Sequence, residues 1–509
     1  MLRHEDNLSR QIEYHQSLRK ARRYNLFNQT HCPDNVIILS TPTNDPNNKV
    51  EEYNLSCIFQ IYRKAMCDLN NTNECAIING LKTLSEIIRD GSMAKEMITI
   101  ELFQRLLCVT LNGDFLVLDA VLAFLKIAST LPSGRVGALI FSSGLITVLK
   151  RLILNEYGRD RQMVALKIVS EVIYNKSMLC EQLMTGGFYY PFENEMKTIF
   201  MEGQCDSAIK LSLVEFVISF TNNMANTFAL IAGRMFFILR DELRRSIPEV
   251  TMLLLEALKN TSIQEEVSQS IEERGLKDFL ILFQTGDSII QLKVLELIDL
   301  WFELCRTVQF QEFIGIVEFL FKSAQQINLR VLPLVLKFIY KVLLFKPHTI
   351  LQLLFEYQET VQFFIVCFDA PNTEVAEAAV QLMYSSCLTF GNKQNGVIDM
   401  FINKGMIESI SQSLQTYKRI NNEKTIISML KTLLFIFSVC CFKTDHNNRQ
   451  IRYNIFLECN NPIMLFVSTG CEQYLNNVIF MNEEANTLVS KIREIVQMEE
   501  SNFIECKKL

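Results

Sequence analysis

The sequence is poor in the residues that interrupt regular structure. It has 509 residues but only 18 Gly and 10 Pro. A β-rich or α/β protein of this length needs turns every few residues, so the scarcity of Gly and Pro favours an all-helical protein. Because 49% of the residues are hydrophobic and only 21% are charged, the chain also has ample apolar material for a large folded core.

The sequence also lacks the motifs of common enzymes and metal sites. It contains no P-loop, no G-x-G-x-x-G, no G-x-S-x-G and no H-E-x-x-H. The five His lie far apart, and no cysteines stand at zinc-finger spacing. We therefore expect a non-enzymatic protein with no cofactor and no metal site, with an active site assembled from residues distant in sequence as the alternative.

The 15 Cys form no C-x-x-C pair, and most lie inside apolar runs such as "FIFSVCCF" (435–442). A thiol in such a run packs as a small hydrophobic side chain, which is typical of a reducing compartment. The first twenty residues are polar and charged, which does not fit a secretory signal peptide. We expect a protein of the cytoplasm and nucleus that does not interact with membranes.

Charge is concentrated at the N-terminus. Residues 1–23 hold six basic and three acidic side chains, a net +3 in a chain whose formal net charge is −6. Such a basic arm on an acidic body can dock on an acidic partner, whereas the acidic body argues against nucleic-acid binding. Residues 31–50 contain three Pro and several Asn. We predict a basic arm over 1–30, an extended tether over 31–50 and a helical body over 51–509.

The body repeats one pattern, in which an apolar helix is followed by a glycine hinge and a second apolar helix with i, i+3, i+4, i+7 spacing. The hinges are Gly144, Gly187, Gly233, Gly275 and Gly315, at steps of 43, 46, 42 and 40 residues, and then Gly405 two steps further on. Repeats of 40–47 residues are those of armadillo and HEAT proteins. The pattern predicts an all-α, right-handed superhelical solenoid of about nine repeats, closed by a capping helix near residues 483–500. An irregular helical bundle is the alternative.

Two stretches resemble the importin alpha family. "DAVLAFLKIAST" (119–130) resembles the third helix of an armadillo unit in that family, E-A-A-W-A-L-T-N-I-A-S. "SLRKARR" (17–23) is similar to E-L-R-K-A-K-K, the centre of the family's importin-beta-binding segment. The resemblance implies an adaptor for nuclear protein import whose arm contacts importin beta through Arg19, Lys20, Arg22 and Arg23.

The resemblance breaks at the cargo groove. In importin alpha, Trp and Asn four residues apart on the third helices hold a basic cargo peptide, but this chain has a single Trp, Trp301. Lysines at groove positions would repel a basic localisation peptide. The alignment places these residues at the Trp and Asn positions of three successive repeats: Leu122 and Lys126, Lys167 and Glu171, Glu215 and Ser219.

The arm departs from the family too, because "YNLFNQTH" (24–31) replaces a second basic cluster, K-R-R-N. We interpret the chain as an importin-alpha-like adaptor with a degenerate groove and a specialised protein cargo. Two readings stay open beside it. The protein can be an armadillo scaffold for protein clients outside nuclear transport, and the arm can be a solvated segment without a partner.

Overall fold

The computed structural model describes most of the chain from residue 49 onwards. The helices within the described residues number 26, so the prediction of an all-α protein is confirmed. They form two compact units, Met1–Val267 and Ser268–Leu509. The described ranges are 49–90, 97–131, 135–174, 177–184, 187–201, 206–222, 229–243, 246–306, 310–390, 396–420, 423–441, 443–444, 450–451 and 461–506.

The first unit contains twelve helices and the beginning of a thirteenth, and most are nine to seventeen residues long. They are α1 (Lys49–Asp68), α2 (Glu74–Asp90), α3 (Ile100–Asn112), α4 (Phe115–Ser129), α5 (Arg135–Ser143), α6 (Leu145–Ile153), α7 (Arg159–Ile173), α8 (Ser177–Met184), α9 (Tyr189–Met201), α10 (Ser207–Thr221), α11 (Ala229–Leu243), α12 (Pro248–Thr261) and α13 (Gln264–Arg274).

The second unit begins within α13 and continues to the C-terminus. Besides its helices it has two 3-10 turns, Ala324–Gln326 and Cys367–Asp369, and a two-residue antiparallel strand pair, Lys443–Thr444 with Gln450–Ile451. The helices are α14 (Lys277–Thr285), α15 (Ser288–Cys305), α16 (Phe310–Ser323), α17 (Leu332–Phe345), α18 (Pro347–Glu356), α19 (Gln358–Val366), α20 (Thr373–Phe390), α21 (Val397–Asn403), α22 (Met406–Ile420), α23 (Glu423–Cys441), α24 (Pro462–Ser468), α25 (Cys471–Asn476) and α26 (Glu483–Cys506).

One helix of each repeat packs against its equivalent in the next repeat, and we call these the ladder helices. They are α2, α4, α7, α10 and α12 in the first unit and α15, α17, α20, α23 and α26 in the second. Within each unit their first residues lie 41–50 residues apart, except for 60 residues between α23 and α26. The repeat length predicted from the glycines is therefore the repeat length of the packed helices.

Short polar side chains fix where several ladder helices begin. The carboxylate of Asp114 accepts hydrogen bonds from the backbone N–H of Leu116 and Val117, at 2.8 and 3.1 Å, at the start of α4. Asp287 does the same for the first turn of α15, where its Oδ1 accepts at 3.0 and 2.9 Å. Such caps satisfy backbone donors that have no partner within the helix, so each Asp stabilises the start of its helix by roughly 0.5–2 kcal/mol.

Four of the six predicted glycine hinges are confirmed and two are wrong. The confirmed glycines adopt positive φ at helix boundaries, where a side chain is disfavoured. Gly233 and Gly315 instead lie inside α11 and α16. A glycine inside a helix costs only about 1 kcal/mol relative to alanine, so spacing alone cannot distinguish it from a hinge. The confirmed hinges are Gly144 (+87°), Gly187 (+77°), Gly275 (+65°) and Gly405 (+84°).

Aromatic side chains fill the space behind the ladder helices. In the second unit, Phe302 is fully buried and its ring centroid lies 5.4 Å from that of Phe313 and 5.5 Å from that of Phe338. These contacts join α15 to α16 and α17. In the first unit, Phe192 and Phe216 meet edge to face at 5.0 Å and join α9 to α10. Apolar packing of this kind, rather than any single polar contact, holds the helices together.

No single helix among the described residues is both long enough and apolar enough to cross a membrane. The pair α5 and α6 passes the same test on length and composition when taken together, but it is bent by 91° at the break between the two helices.

A matched pair of glycine substitutions tests the hinge assignment. Gly405→Ala should lower the free energy of unfolding by roughly 1–2 kcal/mol, because a Cβ is strained at φ +84°. Gly315→Ala should raise it by up to about 1 kcal/mol, because Gly315 lies inside α16 with no atom within 4 Å of an added Cβ. Urea unfolding of the full chain followed by circular dichroism measures both. Changes of the same sign would contradict the assignment.

Candidate protein-binding surface

Each ladder helix of the second unit keeps one narrow face open to solvent. The alternation of buried and exposed residues over 294–304 recurs closely over 335–345, 379–389 and 426–436. Residues at i, i+3 and i+7 lie on one side of a helix, so the open positions form a row on each helix. We call these rows the exposed stripe: Glu296, Asp299 and Glu303 on α15, Lys337, Tyr340 and Leu344 on α17, Gln381, Tyr384 and Leu388 on α20, and Ser428, Lys431 and Phe435 on α23.

An ion pair links the stripe of α15 to α17. The ammonium group of Lys341 donates to both carboxylate oxygens of Asp299 at 2.7 Å and lies 3.4 Å from Glu303. Burial on its own would lower the pKa of Lys341, but the hydrogen bonds and negative charges of these two carboxylates outweigh it and raise the pKa. Lys341 therefore keeps its charge at neutral pH, and the acidic row of α15 is largely neutralised.

Similar pairs join the later ladder helices. Lys424 of α23 is paired with Glu377 of α20, and Lys431 of α23 lies 2.7 Å from Glu484 of α26. All of these side chains are at least partly exposed, so each pair contributes only about 0–1 kcal/mol to stability. Their larger effect is electrostatic, because they leave most of the exposed stripe with little net charge.

The section of the stripe on α17 and α20 is different, since it carries tyrosine and leucine instead of ion pairs. Tyr340 and Tyr384 stand 44 residues apart, and so do Leu344 and Leu388. The leucine side chains are strongly exposed, with 61% of Leu344 and 44% of Leu388 open to solvent. Exposed leucines beside tyrosines, recurring at equivalent positions, are typical of a surface that binds another protein.

The polar groups of this section also await a partner. Lys337 and Gln381 occupy equivalent positions one turn before the tyrosines. Within the part of the chain that the structure describes, neither these two side chains nor the two tyrosine hydroxyls make a hydrogen bond or ion pair. The six residues Lys337, Tyr340, Leu344, Gln381, Tyr384 and Leu388 therefore form the candidate site, and we call them the tyrosine–leucine section.

The six groove residues predicted in the first unit are not equally accessible. Lys126 is exposed, and Lys167, Glu171 and Glu215 are half-buried. Leu122 is only 3% exposed and Ser219 only 8%, so these two side chains do not line an open surface. The functional role assigned to the six residues stays a prediction.

The burial pattern also corrects the alignment of α4. Lys167 of α7 and Glu215 of α10 are equivalent positions, and the residue of α4 that shares their place in the pattern is Ala123. Leu122 lies one residue earlier, which turns it towards the core. A slip of one residue is enough for this, because it rotates a side chain by about 100° around the helix axis.

The single Trp of the chain does not lie on the stripe. Trp301 is fully buried on α15, with its ring centroid 4.8 Å from that of Phe279 in an edge-to-face contact. A Trp ladder of the importin alpha kind is therefore absent from this protein. The predicted importin-beta contacts Arg19, Lys20, Arg22 and Arg23 lie outside the described residues.

The buried thiols are held in the protonated form. Burial raises the pKa of Cys180, Cys367 and Cys471 to about 12. At neutral pH these groups are thiols and not the nucleophilic thiolates that catalysis requires. They pack as small hydrophobic side chains, as the apolar runs around them indicate.

Sequence reasoning missed the tyrosine–leucine section, although the sequence contains a signal for it. "KFIYKVLL" (337–344) and "QLMYSSCL" (381–388) both place Tyr at the fourth position and Leu at the eighth. The glycine-based search did not find this repeat, because neither segment contains a glycine and the leucines look like ordinary core residues. Only the structure shows that these leucines are exposed.

Comparison with known proteins identifies the fold. No family model and no curated protein matches the sequence. A solved structure from work on a conserved phosphorylation switch that controls the interaction between cadherin and beta-catenin matches with a TM-score of 0.50 and 10% sequence identity, over 89% of this chain and 97% of that chain. That chain is an armadillo protein, so the predicted armadillo-type solenoid is confirmed.

A lysine-rich localisation peptide should not bind the first unit. There is no Trp to hold the lysine stems, and Lys126 and Lys167 add positive charge to the ladder helices. We expect no saturable binding by fluorescence anisotropy below ~100 µM. Lys126→Glu with Lys167→Glu should raise the affinity, whereas the matched change on α1, Arg63→Glu with Lys64→Glu, should not. Micromolar, salt-sensitive binding by the unaltered chain would contradict this.

Proposed function

We propose that this protein is a non-enzymatic, protein-binding scaffold of the armadillo type, and that the exposed stripe is its binding surface. The observation that carries the proposal is the tyrosine–leucine section, in which apolar and polar groups recur on neighbouring ladder helices. The fold supports it, since armadillo solenoids typically serve as binding scaffolds without catalytic activity. Such a surface needs no cofactor to act.

We further propose that the scaffold is an importin-alpha-like adaptor for nuclear protein import and is present in cytoplasm and nucleus. The support is the basic arm, whose "SLRKARR" (17–23) is similar to the importin-beta-binding segment, together with the armadillo body that follows it. Arg19, Lys20, Arg22 and Arg23 would pair with acidic side chains of importin beta. The cargo is a specialised protein, because the basic-peptide groove of the family lacks its Trp residues.

Binding of the full chain to purified importin beta tests the adaptor role. Arg22→Ala with Arg23→Ala should weaken binding about tenfold or more, because hydrogen bonds to charged groups are worth roughly 1.5–3 kcal/mol each. Arg3→Ala with Arg10→Ala removes the same charge from the same arm but outside the family-like segment, and should change the affinity much less. Surface plasmon resonance measures both variants.

Two results would contradict the adaptor role. One is a full chain that does not bind importin beta at all, and the other is an equal loss of affinity in both double variants, which would indicate attraction by charge alone. In either case the scaffold would act outside nuclear transport. The binding surface on the second unit does not depend on that outcome.

A further inference from the structure

The tyrosine–leucine section has a chemistry that favours one class of ligand. Its residues occur as two equivalent rows, Lys337, Tyr340 and Leu344 on α17 and Gln381, Tyr384 and Leu388 on α20. A ligand that lies across both helices meets the same kind of side chain twice. The distance between the two rows and the hydrogen-bonding character of their polar groups together select the backbone conformation of the ligand.

The spacing of the rows is set by helix packing. Packed helices lie about 8–10 Å apart, and α17 and α20 pack directly on each other. A β-strand places side chains of one face about 6.7 Å apart, which is too short to match this distance. A polyproline II helix rises about 3.1 Å per residue with three residues per turn, so every third side chain recurs at about 9.3 Å. This repeat fits the distance between the rows.

The hydrogen-bonding character of the site points the same way. Lys337 can only donate, Gln381 offers two amide donors, and each tyrosine hydroxyl can donate once. A proline-rich polyproline II segment has free carbonyl oxygens and few N–H groups, because its backbone makes no internal hydrogen bonds and proline lacks the N–H. An α-helical ligand would satisfy its own backbone and leave these donors without acceptors.

The charge of the site excludes the commonest alternatives. Apart from Lys337, the section carries no ionised side chain, and the neighbouring charges of α15 and α23 are paired as described above. A strongly charged peptide would lose water around its charged groups without gaining an opposite charge here. An uncharged ligand with aliphatic side chains avoids that loss and covers the exposed leucines.

We infer that the tyrosine–leucine section binds an uncharged, proline-rich segment of a partner protein in the polyproline II conformation, with an aliphatic side chain at every third residue. This inference rests on the proposed function, since it names the ligand of the same surface. The aliphatic side chains contact Leu344 and Leu388. The tyrosine hydroxyls and Gln381 donate to the carbonyl oxygens of the segment.

Fluorescence anisotropy with the full chain tests the inference directly. The probe is a fluorescein-labelled peptide of four Leu-Pro-Pro repeats, and the comparison peptide has four Leu-Gly-Ser repeats, which keep the leucine spacing without the polyproline II conformation. We expect saturable binding of the first well below ~1 mM and at least about tenfold weaker binding of the second, because the flexible peptide must lose more conformational freedom.

Variants locate the binding to this section. Leu344→Ala with Leu388→Ala should weaken binding about tenfold or more, since each removes an apolar contact. Tyr340→Phe with Tyr384→Phe keeps the rings and removes only the hydroxyl donors, so a loss of roughly 3–10-fold is expected. The control pair Ile281→Ala with Val366→Ala removes equally exposed apolar side chains from α14 and α19, which are not ladder helices, and should leave the affinity unchanged.

The outcomes separate this inference from the proposed function. The inference is overturned if the Leu-Pro-Pro peptide does not bind, if the Leu-Gly-Ser peptide binds as well, or if the control pair weakens binding as much as the leucine pair. If a lysine-rich or an acidic peptide binds instead and depends on Leu344 and Leu388, the scaffold function stands and this choice of ligand is wrong. If the Leu-Pro-Pro peptide binds as expected while importin beta is not bound, the adaptor role fails and this inference stands.

Discussion

The side-by-side packing of the ladder helices is the constraint on which the rest of the structure depends. A helix such as α17, "LPLVLKFIYKVLLF", is apolar on almost every side and cannot be stable alone in water. It packs against α15 on one flank and α20 on the other, and the aromatic core, including Phe338, covers its back. Each repeat therefore needs its neighbours, and the stack gains stability by adding repeats.

This packing leaves each ladder helix a single open face, which limits what the surface can do. The open positions are only i, i+3 and i+7, so one helix can offer about three side chains to a ligand. A ligand must cross several helices to gain affinity, and the distance between helices then becomes part of the recognition. The ion pair from Lys341 to Asp299 and that from Lys431 to Glu484 span the same gaps between helices. They use the charged positions for contacts within the protein, and so leave the tyrosine–leucine section as the open part of the stripe.

The sequence was sufficient to predict the fold class and the repeat length, because both follow from apolar periodicity and from glycine spacing. Gly144, Gly187, Gly275 and Gly405 adopt positive φ, and that is why their spacing carried information. Gly315 did not, since a glycine within α16 looks the same in the sequence as a glycine between helices. The repeat that contains it continues without a glycine hinge.

The candidate site was much harder to predict than the fold. Leu122 and Leu344 stand in similar apolar runs, yet one is 3% exposed and the other 61%. The difference depends on a rotation of the helix that a single residue changes, and that rotation is set by neighbouring helices distant in sequence. The equivalence of Tyr340 and Tyr384 is visible in the sequence only after the period of 44 residues is known for that particular pair of helices.

The two recognition elements proposed for this protein use different physical interactions. The arm offers charge, so its binding depends on ionic strength, because screening weakens contacts between exposed charges. The tyrosine–leucine section offers apolar surface and neutral donors, and such contacts respond little to salt. A partner that neutralises the arm therefore has no chemical reason to compete for the stripe. An adaptor that has lost the basic-peptide groove can in this way hold a carrier and a cargo at once, with neither ligand resembling the other.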